Sequence, residues 1–445
     1  MDLRTFLGDL EQAGELMRIR KPVDPRYISP LIEKAGKGVY FEQIVGYDMP
    51  VTSGLLGTMD RLAIGMHMDK LEIGRCLAQA VNSPIPAVTV DKAPCQEVVH
   101  IGEDVDLTRL PLPLHSLQDG APYISSALVI GMDPEYGRNA GFYRMMYNGP
   151  RHLGIGLVSP SDLRLYYQRA LEKKEPVPIA VAIGSHPSYM VAVTYKAPLG
   201  HDEMAIAGGL RRQPVEMVHC KTIEAEAPAD SEIVLECEIL PTGFTVDEGR
   251  FGEFTRFIGG HKMNPLVEVK AITHRKDAIF QSIHMPWENI ILDAPVYEAI
   301  AWNILETAGI QATAINISTG GCGQFHVVAA IKKRGGEGKN ALLALLSAAS
   351  FKYAVVVDDD INVYDPDHVE WAIFSRVQPD RDVIIISDAR AKPLDPSLLP
   401  VKPPALPLTS KMGIDATIPE YASKEQYETI TYPFMDEVDL KDYLD

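Results

Sequence analysis

Residues 124–158 read ISSALVIGMDPEYGRNAGFYRMMYNGPRHLGIGLV. Three short apolar runs, ISSALVIGM, AGFYRMMYN and HLGIGLV, are set apart by proline, glycine and asparagine turns. Runs of this length between turn formers predict consecutive antiparallel strands. The texture continues to about residue 286 through PIAVAIG, YMVAVTY, EIVLECEIL, PLVEVKAI and AIFQSIHM. An antiparallel sheet or barrel follows. Two helices interrupt it, SPSDLRLYYQRALEKKE and DEMAIAGGLRRQ, each opened by a Ser or Asp of capping type.

On the N-terminal side, Leu3, Phe6, Leu7 and Leu10 recur at helical spacing, with Gly14 as a stop. PVTSGLL reads as a strand and MDKLEIGRCLAQAV as a helix. Pro111 and Pro113 bar regular helix and mark a boundary. On the C-terminal side, helical PVYEAIAWNILETAG, KNALLALLSAA and PDHVEWAIFSRV alternate with strand-like ATAINIS, KYAVVVDD and RDVIIISD. Such alternation predicts an α/β layer with parallel strands. A proline-rich connection, PLDPSLLPVKPPALPLTS, and a polar tail follow. The expected class is α+β in three parts: an N-terminal α+β domain (1–116), a central barrel-like domain (117–291) and a C-terminal α/β domain (292–445).

A chain of 445 residues is long enough for such a division. Its 46% hydrophobic and 23% charged residues are ordinary globular usage. A net charge of -18 repels phosphate backbones and anionic lipid, so nucleic acid is excluded as a default partner. The first residues carry acids within their apolar pattern, so neither a signal peptide nor a membrane span is expected. The five cysteines show no zinc spacing and read as free thiols in a reducing cytoplasm.

Several stretches can carry chemistry. In RNAGFYRMMY, Asn139 and Arg144 lie five apart, which regular pleating would place on opposite faces unless Gly141 bends the strand. In LGIGLVSPSDL, the turn around Ser161 and Asp162 leads into a helix N-terminus that can take phosphate or serve as a plain cap. Glu203 falls in the first turn of a helix, where the dipole alone favours a carboxylate. Asn139, Asp162 and Glu203 together would make an all-oxygen site suited to Mg²⁺ or Mn²⁺. The segment DEGRFGEFTRF (247–257) sets Glu248 and Glu253 in a glycine-containing loop beside Arg250 and Arg256. A solvated turn is the bland reading; a pair of acids with different protonation duties is the sharp one. Asp358 to Asp360 follow an apolar strand, as a metal site or as a solvated strand exit. His284 and Trp287, in HMPWENI, fit a pocket wall or ordinary packing.

The motifs LRTFLGDLEQAGEL, DVDLTRLP, NAGFYR, EGRFGE, VVVDDDIN and SKMGIDAT, in this order over nearly the full chain, resemble those of the UbiD family of reversible, non-oxidative decarboxylases. The resemblance implies a central split β-barrel that binds prenylated FMN and a C-terminal domain that mediates oligomerisation. It also implies a flavin prenyltransferase as cofactor supplier, and Mn²⁺ (or Mg²⁺), often with K⁺, at the cofactor phosphate. By resemblance, Arg144, Glu248 and Glu253 form the catalytic network, with Glu253 as proton donor. Two carboxyls in a closed pocket cannot both ionise cheaply, and Arg144 can hold Glu248 by bidentate pairing. Gly249 and Gly252 would let the loop turn both acids inward. Phe142, Tyr143, Arg144, Gly156, Leu157, Val158, Ser161, Asp162 and Lys411 look like cofactor contacts. Asn139, Asp162 and Glu203 look like the metal ligands, Asp162 standing where many members have histidine.

The implied substrate is an aromatic, heteroaromatic or α,β-unsaturated carboxylic acid, with CO₂ as product. Its pocket would include His284, Trp287 and part of residues 394–408. No arginine adjoins His284, and Ile290, Ile291 and Leu292 are apolar, which favours a monoacid. A polyprenyl-hydroxybenzoate of ubiquinone synthesis ranks lower, because GLVSPSDL departs from that branch's RWLSHRGG-like segment. A homodimer or homohexamer is expected. The competing readings are a non-catalytic flavin-binding protein and a metal hydrolase built on Asp358 to Asp360.

Overall fold

The computed structural model describes residues 2–157, 160–399, 407–435 and 437–444. The chain opens with helix α1 (Leu3–Gln12), capped by Asp2, whose carboxylate accepts from the Thr5 amide at 2.9 Å. Leu3, Phe6, Leu7 and Leu10 are all buried, as their spacing requires. Helices α2 (Ile28–Ala35), α3 (Met59–Met66) and α4 (Ile73–Asn82) follow. Strands Leu16–Ile19, Gly38–Phe41 and Val51–Ser53 form a small sheet, which Phe280–Gln281 joins from the far end of the central region. That strand fixes the start of His284–Trp287 against the N-terminal part.

The central sheet has nine strands: β1 (Val98–Ile101), β2 (Tyr123–Ile124), β3 (Leu128–Asp133), β4 (Gly137–Phe142), β5 (Met145–Tyr147), β6 (His152–Ile155), β7 (Val177–Ile183), β8 (Ile233–Glu248) and β9 (Lys262–His274). They run in the order β2-β5-β6-β9-β8-β7-β3-β4, with β1 also on β9, and every pairing is antiparallel. Strand β1 thus joins the central sheet although it precedes the expected boundary at 116. The inner faces of these strands bury Val129, Leu153, Ile179, Val181, Leu235 and Val267 in one cluster.

Helix α5 (Asp162–Lys173) covers this sheet, and Ser161 caps it by accepting from the Arg164 amide at 3.3 Å. One expected strand is a helix. YMVAVTY lies in α6 (Pro187–Thr194), which Pro187 opens at N1 and His186 caps. Every residue from Pro187 to Val193 is buried. A uniformly apolar run carries no period, so strand and helix are indistinguishable in it. Helix α7 (Glu203–Arg211), capped by Asp202, packs beside α6.

The last part contains α8 (Trp287–Thr307), α9 (Glu337–Leu346), α10 (Pro366–Arg376) and a five-stranded sheet. Helix α8 starts before Pro295, which is interior rather than N-terminal. In the sheet, His326–Ile331, Tyr353–Asp358 and Leu408–Ala416 are parallel, while Ala312–Ile317 and Val383–Arg390 flank them antiparallel. The expected parallel strands form the centre of the layer, and its two edges are antiparallel. The link from 318 to 325 is too short for a crossover, which a parallel pair needs. No helix among the described residues is long and apolar enough to cross a membrane.

Candidate active site

Two polar clusters lie along one stretch of chain. Strand β4 ends at Phe142 and β5 begins at Met145, so Tyr143 and Arg144 sit in the break. That break is why Asn139 and Arg144 serve different clusters. Arg144 meets the two acids of the loop that leaves β8. Its Nε and Nη2 donate to Glu248 Oε1 and Oε2 at 2.7 and 3.1 Å. Its Nη1 reaches Glu253 Oε1 and Oε2 at 3.3 and 3.4 Å. Asn264 Nδ2 donates to Glu248 Oε2 at 2.8 Å, and Lys262 Nζ to Glu253 Oε1 at 3.2 Å. Both carboxylates are buried. Three donors converge on Glu248, so it has the contacts of a fixed carboxylate. Glu253 accepts from Arg144 Nη1 and Lys262 Nζ over longer distances, 3.2 to 3.4 Å, and is the freer of the two to exchange a proton. The Phe251 ring centre lies 5.3 Å from the Arg144 guanidinium carbon, and the ring packs at a tilt of 47° against Tyr123, closing one side.

Lys262 and Asn264 were not foreseen as site residues. Both are on β9, two apart and so on one face, and Lys262 is the strand partner of Glu248. The hairpin that joins β8 to β9 carried the signal.

Gly249 is required for a different reason than expected. A β-carbon there would stand 2.2 Å from the Gly120 Cα, and Gly120 N donates to Arg250 O at 3.0 Å. Gly252 has nothing within 4 Å and no positive φ. Gly249→Ala is therefore expected to lower activity about tenfold or more and stability by about 1–3 kcal/mol. Gly252→Ala should keep most of both, with activity and denaturant midpoint as the measurements.

In the second cluster, Asn139 Nδ2 donates to Glu203 Oε1 at 3.2 Å and the Ala140 amide to Oε2 at 2.8 Å. Burial pushes the Glu203 carboxyl up to about 8; the bond from Ala140 opposes this, and the charges of Asp162 and Asp202 add to it. Burial also raises Asp162. Asn139 Oδ1 is buried with no hydrogen-bond partner. An orphaned oxygen beside two acids whose ionisation is disfavoured suits a hard cation. No group of three or more His, Cys, Asp or Glu able to hold a metal occurs among the described residues.

Gly156 packs against Arg144, its amide donating to Arg144 O at 3.2 Å. Leu157 is fully buried in the central core, which leaves only its backbone for a ligand. Val158 lies outside the described residues. Lys411 is elsewhere. It is buried on the C-terminal sheet, where its Nζ donates to the carbonyls of Leu346 and Ala348 at 2.7 and 2.5 Å, at the end of α9. Its ammonium is held by these carbonyls at the C-terminal end of the helix.

Lys196 and Lys392 were missed by sequence. Lys392 Nζ donates to the Tyr297 hydroxyl at 2.6 Å and lies 5.8 Å from the Phe254 ring centre. Burial lowers both ammoniums; the Lys392 charge lowers Lys196 further, and the Asp293 charge opposes both shifts. Of the predicted pocket residues, His284 Nε2 lies 3.0 Å from Glu33 Oε2, and Trp287 Nε1 donates to the same oxygen at 3.1 Å. Asp358 and Asp360 pair with Arg376 at 3.3 and 2.7 Å. The acidic run is an ion-paired strand exit, which removes the basis for a hydrolase there.

Residues 7–81, 87–286 and 290–416 match the N-terminal, Rift-related and C-terminal domains of 3-octaprenyl-4-hydroxybenzoate carboxy-lyase. The anhydromevalonate phosphate decarboxylase of Methanosarcina mazei is 36% identical over 97% of this chain and 100% of its own. The UbiD-class enzyme HmfF from Pelotomaculum thermopropionicum, solved in complex with FMN, is 39% identical with a TM-score of 0.92, covering 100% of both chains. An evolved dimeric form of HmfF in complex with prFMN is 37% identical with a TM-score of 0.88, again over 100% of both. The chain belongs to the UbiD family and is one of its carboxy-lyases.

Proposed function

We propose that the protein is a prenylated-FMN-dependent decarboxylase that reversibly removes CO₂ from an α,β-unsaturated, aromatic or heteroaromatic acid. The observation that carries this is the set of buried Glu248 and Glu253 held by half-buried Arg144 and Lys262, with Asn139, five residues before Arg144, paired to Glu203. Asn139 Oδ1, Glu203 and Asp162 would hold Mn²⁺ or Mg²⁺, which would neutralise the cofactor phosphate. When bound, prenylated FMN supplies the electron sink for breaking the C–CO₂ bond.

The rest belongs to the chain. Glu248 fixes the Arg144 fork through two hydrogen bonds, and Arg144 aims Glu253. Glu253 gives its proton to the carbon that has lost CO₂, and in the reverse direction takes it back. Phe251 and Tyr123 keep bulk water from the exchanged proton.

Co-production with a flavin prenyltransferase should yield a coloured protein. Its native mass spectrum should show prenylated FMN and one divalent ion. A colourless protein that stays empty after reconstitution would overturn the proposal. A titration tests the metal site independently of activity. Glu203, raised to about 8, is protonated in the metal-free protein at neutral pH, while a ligand must be ionised. Binding Mn²⁺ near pH 7 should therefore release about one proton, and log K should rise by about one per pH unit until about pH 8. Calorimetry in buffers of different ionisation enthalpy measures both. Glu203→Gln should abolish the proton release.

A further inference from the structure

Arg256 is the residue of the catalytic loop that the mechanism leaves unused. It lies three residues beyond Glu253, and its amide donates to Glu253 O at 2.9 Å. Its φ is 66°, in the left-handed region that a side-chain-bearing residue rarely adopts. Glycine would sit there freely, so the guanidinium, not the backbone, accounts for arginine at this position. The side chain is exposed, and its guanidinium carbon lies 4.5 Å from the centre of the Trp287 ring. One long hydrogen bond, 3.4 Å from Nη2 to Thr319 O, is its polar contact. Among the described residues no carboxylate comes within ion-pairing distance of it, in a chain with 60 acids against 42 lysines and arginines.

The platform beneath it is fixed. Trp287 is tied by its N–H to Glu33, which also binds His284. Glu288, fully buried, accepts from the amides of Gly54, Leu56 and His284 and so anchors the start of α8. Between Arg256 and Glu253 stands Phe254, against Phe325 and Lys392. A planar fork preset on an aromatic face, with its donors nearly free, is made to receive a carboxylate or phosphate in bidentate fashion.

We propose that Arg256, seated on Trp287, receives a second anionic group of the substrate, a phosphate monoester or a carboxylate, at the end remote from the carboxylate that is lost. This rests on the decarboxylase reading above. It replaces the monoacid expected from sequence: the arginine missing next to His284 comes from the Glu253 loop. The relative from Methanosarcina mazei is named for a phosphorylated acid.

The test uses Arg256→Gly, which keeps the backbone at φ 66° without strain, and Arg256→Lys, which keeps the charge but loses the fork. Holoenzyme is assayed with anhydromevalonate phosphate against anhydromevalonate, and with furan-2,5-dicarboxylate against furan-2-carboxylate. In Arg256→Gly, kcat/KM for the doubly anionic acid relative to its partner should fall about 10–100-fold, carried by KM, with the lysine variant between. The pair that shows the fall identifies phosphate or carboxylate. Ratios unchanged for both pairs would overturn the proposal. Calorimetric titration of holoenzyme with inorganic phosphate is the second readout. Weakening of about tenfold in Arg256→Gly is expected, and equal binding counts against the site. If wild-type holoenzyme releases CO₂ from none of the acids, the choice of substrate class fails, and the phosphate titration alone decides Arg256.

Discussion

Glu253→Gln is expected to lower kcat for CO₂ release by about 10²–10⁴-fold, the usual worth of one positioned general acid. Cofactor and metal content should stay at wild-type levels. The substitution is nearly isosteric and lies in a site whose shape is set by other residues. Glu248 keeps both bonds from Arg144 and the one from Asn264. What changes is the single group with an exchangeable proton. The amide oxygen can keep the Oε1 place and accept from Arg144 Nη1 and Lys262 Nζ, which leaves the amide nitrogen at the Oε2 place, 3.4 Å from Arg144 Nη1, which can only donate. Glu253→Asp keeps a carboxyl but shortens its reach, so intermediate activity is expected. Incorporation of deuterium from D₂O into the product should fall in step with CO₂ release. A Glu253→Gln protein that keeps a third or more of wild-type kcat would remove Glu253 as the acid.

What could be read in sequence, and what could not, divides along contact distance. Glu248 and Glu253 were visible because both lie in one loop with Gly249 between them. The break that separates Asn139 from Arg144 was half visible: pleating forbade one face for both, and the strand solves this by ending at Phe142. Arg256 on Trp287 and Lys392 by Phe254 join segments whose approach the sheet and α8 decide, and no local pattern carries that. The misread YMVAVTY run has the same origin. Burial on every side erased the period that would have named it a helix. Lys411 has a contact that its motif could not show, the carbonyls at the end of α9.

Arg144→Ala should abolish decarboxylation and also destabilise the fold by about 3–5 kcal/mol, because it strips a buried acid of its partner. Glu248 is 1% exposed and would keep only Asn264 as a donor, while the Arg144 side chain it loses is itself only 21% exposed. On thermal unfolding this is on the order of 10 °C for a domain of this size. Two effects on one residue are separable by a cycle. Arg144→Ala with Glu248→Ala removes the stranded charge along with its cause, so the pair should recover part of the lost stability, with a coupling of about 1–3 kcal/mol. Activity should not recover, since Glu253 still lacks the group that aims it. If the stability losses simply add, Arg144 and Glu248 are not energetically coupled and the short distances between them carry no pairing. If instead activity returns in the double variant, Arg144 serves only to neutralise Glu248. Positioning of Glu253 would then fall to Lys262, the other cation within reach of its carboxylate.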